Sequence, residues 1–352
     1  MIGTMSELIS SAVFIGSDAQ GMAQEHAAGS RRGFAASPDV QPAAPEGTAC
    51  ARRSLRSARR HQLRGLRSPM QYGAQSAVAL LRAGRSARQR SYNPANKNKA
   101  GIRVMTDMTE DERRIHKDAV DFARKNKKAI ARKLTDTSLF LPDDAPVSVF
   151  MAGSPGAGKT ESSRELIATL EKQHPNGKIL RIDADDLRGQ FSEYNGSNAW
   201  LFQAGASILV EKILDFALEN RQSFILDGTL SNYARAEANI QRSLGRDRLV
   251  QVLYVYQDPL LAWCVVKARE LTEGRRVPRS RFIEQYFAAR TVVNRLKTTF
   301  RADIKIDVLM KPYDDSGKRV RATWQNVQSV DPFAPEPYSS REELELALNS
   351  MD

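Results

Sequence analysis

The chain is short of the residues that staple a fold or hold a metal. Its 352 residues include two cysteines, Cys50 and Cys264, which argue against a disulfide framework and fit a reducing, cytoplasmic setting. The four histidines, His26, His61, His116 and His174, stand at no metal-ligand spacing with cysteines or acids. No apolar run approaches the ~18 residues of a membrane span. Residues 12–15 are too short for a signal-peptide core and lack a basic segment before them. No membrane span is therefore expected. Acids are scarce in one region only: residues 1–104 carry fourteen arginines and two lysines against five acids, +11 of the net charge of +12. The remaining residues are close to neutral, so the chain's basicity is no sign that they bind nucleic acid.

Residues 1–104 also lack the apolar content of a core. Rich in Ala, Ser, Gly and Arg, they cannot bury enough surface to offset the entropy of ordering, and a disordered basic extension is expected. Only residues 75–90 show an amphipathic pattern. Three readings stay open. The segment is a tail that touches anionic surfaces; or a targeting peptide, against which the Lys- and Arg-free first 30 residues argue; or translated upstream sequence, with the start at Met105 or Met108. The excess of Arg over Lys, 14 to 2 here, favours the last. The expected organisation is then an N-terminal helix and linker over 105–145, a core over 146–335 and a terminal helix over 336–352.

What is present is an eight-residue phosphate cradle. Gly153-Ser154-Pro155-Gly156-Ala157-Gly158-Lys159-Thr160 follows an apolar run, residues 147–152, and precedes a helix-compatible stretch. This is the P-loop pattern in its strand–turn–helix context. Its glycines permit a tight turn, and its N–H groups, with the helix N-terminus behind them, attract phosphate. Pro155 donates nothing. Lys159 would reach the β- and γ-phosphates, and the Thr160 hydroxyl would ligate Mg²⁺. A nucleoside triphosphate with magnesium is the expected cofactor.

Strands are expected at 147–152, 178–182, 223–226, 249–256 and 305–310, with an edge strand near 320–324 after a turn at 314–317. Helices are expected at about 109–133, 161–173, 198–219, 231–243, 258–272, 279–299 and 339–350, the first opened by the capping box Thr109–Glu112. The fold class is thus α/β, a P-loop NTPase fold whose mostly parallel five-stranded sheet is flanked by helices. Ligands of such sheets sit at the carboxyl ends of the strands.

Four constellations lie there or just beyond. Asp183-Ala184-Asp185-Asp186-Leu187-Arg188 closes the second strand and supplies carboxylates able to take a proton from an acceptor hydroxyl. Asp227-Gly228-Thr229 closes the third, an acid placed to hold Mg²⁺ through water. Arg269, with Gly274-Arg275-Arg276-Val277-Pro278 following, offers arginines for a lid over the phosphates. Glu211 is a lone acid on the 198–219 helix and by pattern alone reads as a surface carboxylate.

In this order (P-loop, D-x-D-x-x-R, V-E, D-G-T-L, R-x-x-P) the motifs resemble the zeta toxin family, bacterial kinases of toxin–antitoxin modules, over roughly residues 109–300. The resemblance implies ATP- or GTP-dependent phosphorylation of UDP-N-acetylglucosamine on the sugar 3′-hydroxyl, and an inhibitor, either a separate antitoxin protein or the 109–133 helix acting in cis. It makes Asp185 the general base, with Lys159, Arg269 and Arg275 acting on the phosphates. It makes Arg188, Glu211 and Thr229 substrate contacts. Departures cluster near the acceptor: Asp227 stands where the family usually has Glu, Ser231 where it has Arg, and residues 190–194 carry no His-Pro pair. The interval from Arg269 to Arg275 is also short. Another nucleotide, dinucleotide or small-molecule acceptor, or a nucleotide-binding regulator without transferase activity, are the alternatives.

Overall fold

Alternation of apolar runs with amphipathic stretches builds a sheet covered on both faces. The computed structural model describes residues 108–173, 178–311 and 322–351. The expected basic extension, the 75–90 helix, the late start at Met105, the 314–317 turn and His174 lie outside those residues.

Helix α1 (Glu110–Leu134) opens with the expected capping box: Thr109 Oγ1 accepts from Glu112 N and Glu112 accepts from Thr109 N. Then follow β1 (Val147–Ala152), α2 (Lys159–Gln173), β2 (Leu180–Asp183), the one-turn α3 (Ala184–Leu187) and α4 (Gln203–Glu219). The second half runs β3 (Phe224–Asp227), α5 (Tyr233–Leu244), β4 (Leu249–Tyr256), α6 (Pro259–Glu273), α7 (Arg279–Phe300), β5 (Ile304–Met310), β6 (Ala322–Trp324) and α8 (Arg341–Asn349). The sheet order is β2-β3-β1-β4-β5-β6. The first five strands are parallel and β6 is antiparallel to β5. The sheet thus has six strands, not five: the expected edge strand joins through Val308↔Trp324 and Met310↔Ala322.

Strand β1 is buried throughout, and its period of two splits the core. Val147, Val149 and Met151 pack with Leu166 and Leu170 of α2. Phe150 and Ala152 face a larger cluster built with α1, α4, α5 and α7. Ala119, Ala123 and Ala131 bring α1 into that cluster, and a Cβ on Gly205 of α4 would stand 2.9 Å from the Ala119 carbonyl. The third cluster joins Trp263 of α6 and Phe282 of α7 to Leu344 and Leu348 of α8. Among the described residues no helix is long and apolar enough to cross a membrane. Cys264 lies on α6, and Cys50 lies outside the described residues.

Candidate active site

The carboxyl ends of β1, β2 and β3 converge because these strands are adjacent and parallel. From β1 the chain enters the P-loop. Gly156 has φ +75°, and a Cβ there would stand 2.1 Å from the Ala262 carbonyl, so only glycine lets the loop lie against α6. Lys159 begins α2 and is buried. Its Nζ donates to the carbonyls of Gly153 (3.1 Å) and Ser154 (2.6 Å). Burial pushes its ammonium down to about 8, against the opposing pull of Asp227 and Asp185, while Arg269 reinforces the depression. Thr160 is half-buried one residue on.

Register explains the acids. Asp183 and Asp227 are paired positions of β2 and β3, and the period of two puts Arg181 on the same face as Asp183. Arg181 therefore bridges three carboxylates: Asp183, Asp186 and, at 2.8 Å, Asp227. Ser163 Oγ of α2 donates to the same Asp227 oxygen (3.1 Å). Burial, followed by the charges of Asp185 and Asp227, raises the Asp183 carboxyl to about 6. Asp183 also caps α3, accepting from Asp185 N (2.8 Å).

Asp185 sits on that first turn with both oxygens engaged. Arg188 meets one at 2.6 Å and Arg275 pairs with the other. Arg188 is held in turn by Gln203 Oε1 (2.8 Å). Arg275 comes from the segment between α6 and α7. It is brought across because Gly196 (φ +87°) lets its backbone approach the Glu273 carbonyl, to which a Cβ would stand only 2.7 Å away. Arg269, partly exposed, pairs loosely with Glu273 (3.8 Å). Thr229 ties the end of β3 to the P-loop: its carbonyl accepts from Gly153 N (3.3 Å), and its hydroxyl bonds Ser231 Oγ (3.0 Å).

The P-loop, Asp185, Arg188, Arg275, Asp227 and Thr229 are thus gathered at one end of the sheet, with Arg269 close enough to perturb Lys159. Glu211 is engaged elsewhere, with Arg242 (3.3 Å) and Arg235 (3.7 Å) of α5. Sequence reasoning missed Arg181, Ser163 and Lys311. Lys311 follows β5, is buried, and joins the P-loop to α2 through the Gly158 carbonyl (3.1 Å) and Glu161 (3.0 Å). A basic residue two before a strand-end acid was the available signal for Arg181. Among the described residues no group of three or more His, Cys, Asp or Glu could hold a metal alone. Thr160 and Asp227 are hard oxygen donors of the kind magnesium takes beside phosphate and water.

A zeta toxin family model matches residues 130–321. Among curated proteins none matches the chain. Among solved structures, a chain of the PezAT chromosomal toxin-antitoxin system of the human pathogen Streptococcus pneumoniae is 17% identical with a TM-score of 0.43, covering 70% of this chain and 96% of that one. The complex AvrRxo1-ORF1:AvrRxo1-ORF2 with sulphate ions is 16% identical with a TM-score of 0.43, over 72% and 81% of the two chains. The same complex with ATP is 16% identical with a TM-score of 0.40, over 67% and 73%.

Proposed function

The chain belongs to the zeta toxin family, and from that premise we propose that it transfers the γ-phosphoryl group of ATP or GTP to the sugar 3′-hydroxyl of UDP-N-acetylglucosamine. The observation that carries the reading is Asp185: a carboxylate held by Arg188 and Arg275, close enough to Lys159 to shift it. An acceptor hydroxyl between Asp185 and the P-loop would have a proton acceptor on one side and cations on the other.

The chain's own residues then divide the work. P-loop N–H groups and Lys159 hold the phosphates, and Lys159 exchanges its loop carbonyls for phosphate oxygens. Arg275 leaves Asp185 for the transferring phosphoryl group, which frees the carboxylate to face the acceptor; Arg269 adds charge from α6. The acceptor oxygen forms a bond to γ-phosphorus as the bridging P–O bond breaks, the hydroxyl proton passes to Asp185, and the nucleoside diphosphate leaves. Thr160 and, through water, Asp227 would hold magnesium, which when bound neutralises phosphate charge. Arg181 and Ser163 fix the Asp227 carboxylate. Arg188 and Thr229 contact the acceptor, and Glu211 reaches it only by giving up its arginine partners on α5.

Inhibition is assigned to a separate antitoxin. Helix α1 is unsuited to be a releasable inhibitor in cis because its alanines belong to the main core. A panel of UDP-sugars, dinucleotides and small metabolites incubated with γ-labelled ATP tests the proposal. Label on UDP-N-acetylglucosamine supports it, label on another acceptor keeps the kinase and changes its substrate, and label on none favours a regulator.

A further inference from the structure

Charge also gathers at the opposite end of the sheet. Where β1 and β4 begin and α4 has just ended lies a cavity of about 330 Å³, lined by Arg221, Arg246 and Arg248 together with Glu219 and Asp247. It is ~20 Å from the P-loop along β1, so the two sites share no residue.

Arg248 is 4% exposed. Its Nε donates to Ser148 Oγ (2.7 Å), its Nη2 donates to the carbonyls of Val147 (3.1 Å) and Gln222 (2.5 Å), and its guanidinium lies 5.0 Å from the Phe224 ring centroid. Its Nη1 has no hydrogen-bond partner among the described residues. Burial pushes this guanidinium down to about 10; Asp143 opposes the shift, and Arg221 and Arg246 add to it. Asp143 itself is occupied by Ala145 N (3.0 Å) and Ser223 Oγ (2.8 Å).

Buried charges are ordinarily paired. Yet the buried Arg248 forms no ion pair among the described residues, and neither do the exposed Arg221, which donates to the Asp144 carbonyl (2.7 Å), and Arg246, which donates to the Arg242 carbonyl (3.2 Å). Three guanidinium groups without an ion pair, those of the exposed Arg221 and Arg246 and the buried Arg248, line one cavity of about 330 Å³, an arrangement that matches the recognition of an oxyanion by charge-assisted bonds.

We propose that this cavity binds the phosphate group of a small phosphorylated molecule, at a site separate from the P-loop. The ion comes either free or carried on an organic molecule. Isothermal titration of the full chain with inorganic phosphate, ribose 5-phosphate and malonate separates the possibilities, in a Lys159→Ala background that disables the P-loop. The expected result is one saturable phosphate site that survives Lys159→Ala. Arg246→Gln in that background should weaken it about tenfold or more, with an unchanged circular-dichroism spectrum and melting temperature in the absence of ligand. Tighter binding of ribose 5-phosphate assigns an organic phosphate, and equal affinities assign the free ion. Loss of all binding in Lys159→Ala overturns the proposal. So does binding that neither Arg246→Gln nor Arg221→Gln weakens, or malonate binding as tight as phosphate.

Discussion

At the scale of single residues, the account turns on a carboxylate and a lysine. Asp185→Asn preserves shape and removes the proton acceptor. Transfer should fall ~10²–10⁴-fold while nucleotide affinity holds or improves, because Arg275 is released from its pair; kcat and the nucleotide Kd measured together check this. Lys159 gives a pH signature. In the free protein its proton leaves near 8, and bound phosphates raise that value, so binding takes up a proton above it. Nucleotide affinity should be flat below pH 8 and fall by about tenfold per pH unit above it, with no such fall in Lys159→Met. Asp183 acts on stability in the opposite range. Its carboxyl is raised to about 6 from the ordinary aspartate value of 3.8, so the folded state binds more protons between those values. Stability contributed by this group therefore rises as pH falls from 7 toward 4, and is absent in Asp183→Asn when urea midpoints are compared.

Elements were legible where period and capping agreed. The spacing over 249–256 gave β4 its observed bounds, and Thr109 with Glu112 marked the start of α1. The start of β2 was misjudged by two residues because pairing with β3 begins at Leu180↔Phe224, a contact between strands far apart in sequence. One-turn α3 is too short to show a helical period. The packing of α1 on α4 makes a prediction at this scale. A Cβ at position 205 would crowd both the Ala119 carbonyl and the Phe191 ring, at 2.9 Å, so Gly205→Val should destabilise by about 1–3 kcal/mol in urea unfolding. Deletion of residues 105–134 should likewise lower the melting temperature; a deletion protein that keeps its stability and becomes more active would instead make α1 the inhibitor.

For the molecule as a whole, the P-loop pattern in the sequence pointed to a triphosphate, and the parallel sheet gathers Asp183, Asp185 and Asp227 at the same end of its strands. Two things stayed hidden. Arg181 gains its three carboxylates only through the register that sets Asp183 beside Asp227, and Glu211 meets its arginines only once α4 and α5 pack. Both depend on neighbours that no local pattern carries. The same holds for the arginines at the far end of the sheet, which two separate loops, before β3 and before β4, bring together. The most direct test of the central claim is ³¹P NMR of the full chain with ATP, magnesium and UDP-N-acetylglucosamine. The account predicts a new phosphomonoester resonance, coupled to the proton on the sugar's 3-carbon, that grows as ATP is consumed and is absent with Asp185→Asn. Consumption of ATP with ADP and inorganic phosphate as the only new products, or an equal signal from Asp185→Asn, would contradict it.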